Sequence, residues 1–254
     1  MMDLTPLQLA AALAEQVYNR NSNDDPITLG QLGAQAVDLP TTPPGLAPSG
    51  GFYYSPRGFV GEVVEANGIL YVVFRGTDLS ASFPAALSAA AGASQTSPPA
   101  SNGQIDVGDA VNDLLLGSGT AQQTQLDDAL ALTQAAQNFA ATQDLPVVVV
   151  GQSLGGGLAG LVSAIANVTA YAIDPAPFEK DLQAVALKTA LVQSNLNLSQ
   201  LDVPTVVSEL MSFGPSDQIS FLETLGNSDS DIASFISLTN TILGQFQQNM
   251  STNL

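Results

Sequence analysis

The chain has 254 residues, with 5 basic residues against 23 acidic ones, no cysteine and no histidine, for a formal net charge of −18. Such a surface repels a nucleic-acid backbone, and the missing cysteines and histidines exclude disulfides and remove the usual ligands of transition metals. We therefore expect no cofactor, no bound metal and no nucleic-acid partner. Hydrophobic residues make up 45% of the chain, enough for a sizeable core in one domain spanning residues 1–254.

The first predicted elements are a helix and a β-hairpin. Thr5 and Pro6 mark a helix start, with Asp3 or Thr5 as its cap. Residues 40–51 are rich in proline and glycine, which predicts a loop. Two strand-like runs follow at 59–65 and 69–74, and the Asn67-Gly68 pair between them favours a tight hairpin turn.

The second half of the chain alternates between helix and strand patterns. We predict a helix with one apolar face at 127–140, a buried strand at 147–150, a helix at 158–166, a strand at 168–173, a later strand at 205–213 and an uncharged, packed helix at 232–246. This alternation favours an α/β domain with a mostly parallel central sheet flanked by helices.

The run from Leu145 to Gly157 predicts a strand, a sharp turn with Ser153 at its apex, and a helix. Glycines two residues before and after a serine are typical of the nucleophile elbow of serine hydrolases. A side chain at either glycine position would collide across the tight turn. The amide of Leu154, at the start of the helix, would then stabilise an oxyanion. The alternative is a phosphate-binding turn, but such a loop carries a lysine after its glycines and this one does not.

A second motif comes earlier in the chain, where Phe74-Arg75-Gly76-Thr77 ends a strand. Together with the elbow, it resembles the class 3 (fungal-type) lipase family of the α/β-hydrolase fold, over roughly residues 5–180. The resemblance implies hydrolysis of a carboxylic ester, in particular a lipid, through an acyl-enzyme on Ser153, with transient contact at a lipid interface. It also implies that Thr77 supplies the second oxyanion donor and that Arg75 and Asp113 are structural. The uncharged range 79–104 lies where the family has a lid, and a flexible lid and an insertion are both compatible with its composition.

In that family an acid and then a histidine follow the serine. Asp217 is the candidate acid, because it lies in what resembles a loop after a strand, and Glu209 and Asp202 are alternatives. No histidine is present to act as general base. Three explanations stay open: a histidine beyond the given chain, another basic group, or a pseudo-hydrolase that serves as a lipid-binding or partner-binding module.

The N-terminus and the hydropathy of the chain bear on localisation. The apolar stretch at 7–13 lacks a positively charged flank, which argues against a Sec signal peptide. No stretch is long and apolar enough for a transmembrane segment. The sequence therefore predicts a cytoplasmic protein or one secreted by a signal-independent route.

Overall fold

A computed structural model describes residues 4–18, 28–55, 58–76, 124–198 and 201–254. The helices in these ranges are α1 (Pro6–Gln16), α2 (Leu29–Leu32), α3 (Thr124–Gln143), α4 (Leu154–Ala166), α5 (Glu179–Gln193), α6 (Val203–Ser212), α7 (Pro215–Thr224) and α8 (Asp229–Asn253). The strands are β1 (Ala34–Ala36), β2 (Ala47–Ser49), β3 (Phe52–Tyr54), β4 (Val60–Ala66), β5 (Ile69–Phe74), β6 (Val147–Gln152) and β7 (Thr169–Ile173). The α/β class is confirmed. Thr77, Asp113 and the range 79–104 lie outside the described residues, and the single domain stays a prediction.

One open sheet joins the described strands in the order β2-β3-β4-β5-β6-β7, and β1 pairs with the far end of β4. The pairs β5–β6 and β6–β7 are parallel, whereas the other four described pairings are antiparallel. The sheet is therefore mixed, and its parallel part is the part that contains the predicted elbow.

The predicted hairpin is present between β4 and β5. Asn67 and Gly68 have φ angles of 54° and 74°. A type I′ hairpin turn requires positive φ at both of its central residues, and its twist matches that of the flanking strands. The predicted loop at 40–51 is wrong in part, because residues 47–49 within it form the short strand β2 against β3.

Helices cover both faces of the sheet around β5 and β6. On one face, Leu70, Val72 and Val149 pack against α3 and α4. On the other, Tyr71, Val73 and Val150 pack against α1, whose start is capped by the Thr5 side chain. The continuous apolar run of β6 is thus buried on both sides, as its composition predicted.

Helices α5 to α8 enclose a further cluster of buried apolar residues. It contains Leu187, Ala190, Leu191, Val206, Leu210, Leu222, Ile232 and Phe235. The strand predicted at 205–213 is wrong, because this range lies in helix α6 and the residues that follow it. The β-branched residues suggested a strand, but Asp202 caps the helix by accepting from the Thr205 amide at 2.8 Å, and Val206 and Leu210 share one helical face.

Helix α8 confirms the packed C-terminal helix predicted at 232–246 and extends it at both ends, with Asp229 and Asp231 in its first turn. It contacts α5 and α4. Its buried Asn249 donates from Nδ2 to the Ala164 carbonyl of α4 at 2.7 Å. Helix α8 therefore connects the α5–α8 cluster to α4, the helix that follows Ser153. Among the described helices, none has the length and apolar character needed to cross a membrane.

Candidate active site

The sharp strand-to-helix turn predicted at Ser153 is present. Strand β6 ends at Gln152 and helix α4 begins at Leu154. Between them, Ser153 has φ 56° and ψ −123°. A residue with a β-carbon rarely adopts this conformation, which costs of order 1–3 kcal/mol and persists only where the surroundings impose it. Ser153 is half-buried, so part of it is accessible to solvent.

Three backbone hydrogen bonds impose that conformation. The Ser153 amide donates to the Ile173 carbonyl of β7 at 3.1 Å. Its carbonyl accepts from the Gly157 amide of α4 and from the Ala176 amide after β7, both at 2.9 Å. The serine is therefore held by the neighbouring strand, by the following helix and by the loop beyond β7.

Two glycines allow the turn to close. A β-carbon on Gly151 would lie 2.0 Å from the Gly155 carbonyl oxygen, and one on Gly155 would lie 2.2 Å from the Phe74 carbonyl oxygen. Both obstacles are main-chain atoms that cannot rotate away. The glycine-x-serine-x-glycine spacing thus has a steric reason, and Gly155 also brings the first turn of α4 against the end of β5.

The first turn of α4 carries the candidate oxyanion donor. The amides at the start of a helix have no acceptor within the helix, and the Ser153 side chain does not cap α4. The Leu154 amide is at the first helical position, and the helix dipole adds partial positive charge there. Thr77, the other predicted donor, lies outside the described residues, and its role stays a prediction. Phe74 and Arg75, which lead to it, contact the Gly155 position.

Among the described residues, none of the three candidate acids forms a hydrogen bond with Ser153. Asp202 is the exposed cap of α6, and the backbone hydrogen bond from Thr205 lowers the pKa of its carboxyl. Glu209 is exposed on α6, and Asp217 is exposed in the first turn of α7. The expectation that Asp217 follows a strand is wrong, because helix α6 precedes it. The Ser153 hydroxyl makes no hydrogen bond to any described residue.

Two further polar residues were missed by the sequence analysis. Asp181, in the first turn of α5, is only 6% exposed, and burial raises the pKa of its carboxyl to about 7, with a smaller contribution from Glu179. Tyr18, just after α1, donates its hydroxyl proton to Gln152, the residue before the serine. Acidic residues in a first helical turn are usually exposed and helix-flanking tyrosines are common, so neither residue carries a signal in the sequence.

The described residues offer no cluster of side chains that could bind a metal ion. Across the described ranges, no three His, Cys, Asp or Glu side chains lie together as a metal site would require.

The comparisons of this chain with protein-family models, with curated proteins and with solved structures find no match. The geometry around Ser153 is therefore the observation that indicates a function.

Proposed function

We propose that the chain is a serine-type carboxylic ester hydrolase with an α/β-hydrolase-like fold, acting on lipid or small ester substrates through an acyl-enzyme on Ser153. The conformation of Ser153, with φ 56° and ψ −123° between a buried strand and a glycine-rich helix start, is the observation that carries this proposal. A strained serine at the carboxyl end of a central strand is how such enzymes project a hydroxyl above the sheet. The resemblance to class 3 lipases points to the same substrate class.

The surroundings of Ser153 support acyl transfer in two steps. In the first, Oγ attacks the ester carbonyl carbon, its proton leaves with the departing alcohol, and an acyl-serine forms. In the second, water attacks the acyl carbon, the bond from that carbon to Oγ breaks, the carboxylic acid leaves and Oγ regains a proton. Negative charge develops on the carbonyl oxygen in both steps, and the Leu154 amide together with the α4 dipole favours that charge. Thr77 is the expected second donor.

The base that accepts the serine proton is not assigned to any residue. Histidine is absent from the chain, and the three candidate carboxylates are exposed to solvent. Removing one member of a catalytic triad leaves residual rate enhancement from the oxyanion hole and from substrate binding. We therefore expect activated reagents to acylate Ser153 and the release of the acyl group to be slow.

A fluorophosphonate probe tests the proposal, because it reacts covalently with activated serines. We expect the wild-type chain to be labelled at one site and Ser153→Ala to be unlabelled. Ser163→Ala is the matched control, because it removes a buried serine hydroxyl from the same helix without touching the turn. Absence of labelling in a wild-type chain with native circular dichroism would refute the proposal.

The lack of histidine specifically favours one other candidate, a pseudo-hydrolase that keeps the scaffold and binds a lipid or a protein partner. The same experiment separates the two functions. A pseudo-hydrolase predicts no difference in labelling between the wild type and Ser153→Ala. It also predicts no burst of product from an activated ester, whereas the proposed hydrolase predicts about one product molecule per chain before a slow phase.

A further inference from the structure

Tyr18 lies where three segments of the chain end close together. It directly follows α1, which is anchored by Leu9 and Leu13 against the β5–β6–β7 face of the sheet. The Tyr18 ring packs at the edge of the same apolar cluster. Its hydroxyl is thereby placed beside the carboxyl ends of β5 and β6.

The hydroxyl contacts the residue before the serine at two points. It lies 3.3 Å from the Gln152 carbonyl oxygen and 3.1 Å from Oε1 of the Gln152 side chain. Both distances are long for a hydroxyl donor, as expected when one proton is shared between two acceptors. A β-carbon on Gly76 would lie 2.0 Å from this hydroxyl oxygen. Gly76 thus leaves the space at the end of β5 that the Tyr18 hydroxyl occupies.

We propose that Tyr18 is a positioning residue for Ser153, acting through the peptide that joins Gln152 to Ser153. The amide of this peptide is held by the Ile173 carbonyl at 3.1 Å, and its carbonyl is held from the opposite side by the Tyr18 hydroxyl. A strained residue keeps its conformation only when its neighbours over-determine it. Among the described residues, the Tyr18 hydroxyl is the side-chain group that donates to this carbonyl, so a substitution can remove this restraint without changing the main chain. The catalytic meaning of this role rests on the proposed function.

The test compares Tyr18→Phe with Tyr53→Phe. Both substitutions keep the ring and remove one hydroxyl. The Tyr53 hydroxyl accepts a backbone hydrogen bond from Leu39 at 2.7 Å, but β3 lies three strands, roughly 14 Å, from β6. Tyr53→Phe therefore reproduces the loss of a tyrosine hydrogen bond away from the turn.

Two measurements report on the role of Tyr18. The first is the amide hydrogen exchange of Ser153, which we expect to be roughly 2- to 10-fold faster in Tyr18→Phe and unchanged in Tyr53→Phe, as the loss of hydrogen bonds between neutral groups predicts. The second is fluorophosphonate labelling. In Tyr18→Phe we expect the maximal rate to fall by the same factor, with the half-saturating probe concentration and the labelled fraction unchanged. A purely structural defect would lower the labelled fraction instead.

The outcomes separate this inference from the proposed function. Unchanged exchange at Ser153 in Tyr18→Phe overturns the inference, whether or not the serine reacts. Faster exchange with an unlabelled wild-type chain supports the positioning role and refutes the hydrolase proposal. If Tyr18→Phe does not fold, Gln152→Leu serves in its place, because it removes Oε1 and leaves the Gln152 carbonyl as the acceptor of the Tyr18 proton. Slower exchange at Ser153 is then expected, and unchanged or faster exchange overturns the inference.

Discussion

Replacing Ser153 by glycine should stabilise the protein, in contrast to the usual effect of a glycine substitution. The φ angle of 56° costs a residue with a β-carbon of order 1–3 kcal/mol. Glycine avoids that cost, but it gains about 0.5–1 kcal/mol of backbone entropy in the unfolded state. The serine hydroxyl has no hydrogen bond to a described residue that could be lost. The difference leaves Ser153→Gly more stable than Ser153→Ala by about 0.5–2 kcal/mol, because alanine keeps the β-carbon and the strain.

Urea unfolding of the two variants measures this difference, provided that their m-values agree. Ser237, exposed within α8, gives the matched control. There the order should be reversed, with glycine less stable than alanine by about 1 kcal/mol, as in any helix interior. If Ser153→Gly is no more stable than Ser153→Ala while the Ser237 pair behaves as expected, the backbone of Ser153 is not strained.

Two other substitutions follow from the same structure. The pKa of Asp181 is raised from 3.8 to about 7 in the folded state, so the folded chain binds more protons than the unfolded chain between these values, and stability falls as pH rises through that window. In Asp181→Asn, the loss of unfolding free energy between pH 4 and pH 8 should be smaller than in the wild type by about 1–4 kcal/mol, after allowance for solvent screening. An equal loss in both proteins, measured by urea unfolding at the two pH values, would contradict the raised pKa of Asp181. Gly155→Ala should destabilise the fold by about 3 kcal/mol or more, because its β-carbon would meet the Phe74 carbonyl oxygen at 2.2 Å. Gly244→Ala, in open space on α8, should stabilise by about 1 kcal/mol, and equal melting temperatures for these two alanine variants would argue against the close packing of Gly155.

The features that sequence reasoning predicted correctly depend on neighbours along the chain. The turn at Ser153 follows from an apolar strand and glycines at fixed spacing. The β4–β5 hairpin follows from Asn67 and Gly68, which tolerate positive φ angles. In both cases, the residues that decide the structure lie within a few positions of one another.

The features that were missed depend on distant contacts or on competing local signals. The valines of α6 favour a strand on propensity alone, and the Asp202 cap together with burial of Val206 and Leu210 outweighs them. Tyr18 and Gln152 are 134 positions apart, so only the packing of α1 on the sheet brings them together. The burial of Asp181 likewise depends on the packing of α5 and is not encoded in its local sequence.

The hydrogen bonds of Ser153 leave one of its polar groups available. A peptide carbonyl oxygen has two lone pairs, and here the Gly157 and Ala176 amides occupy both. The Ser153 amide is bonded to Ile173. Among the described residues nothing bonds to Oγ, so a molecule that reaches Ser153 can form a hydrogen bond only with its hydroxyl. The same contacts that maintain the backbone strain therefore leave Ser153 to interact with a partner through one oxygen atom, which can form a hydrogen bond with the partner or attack it.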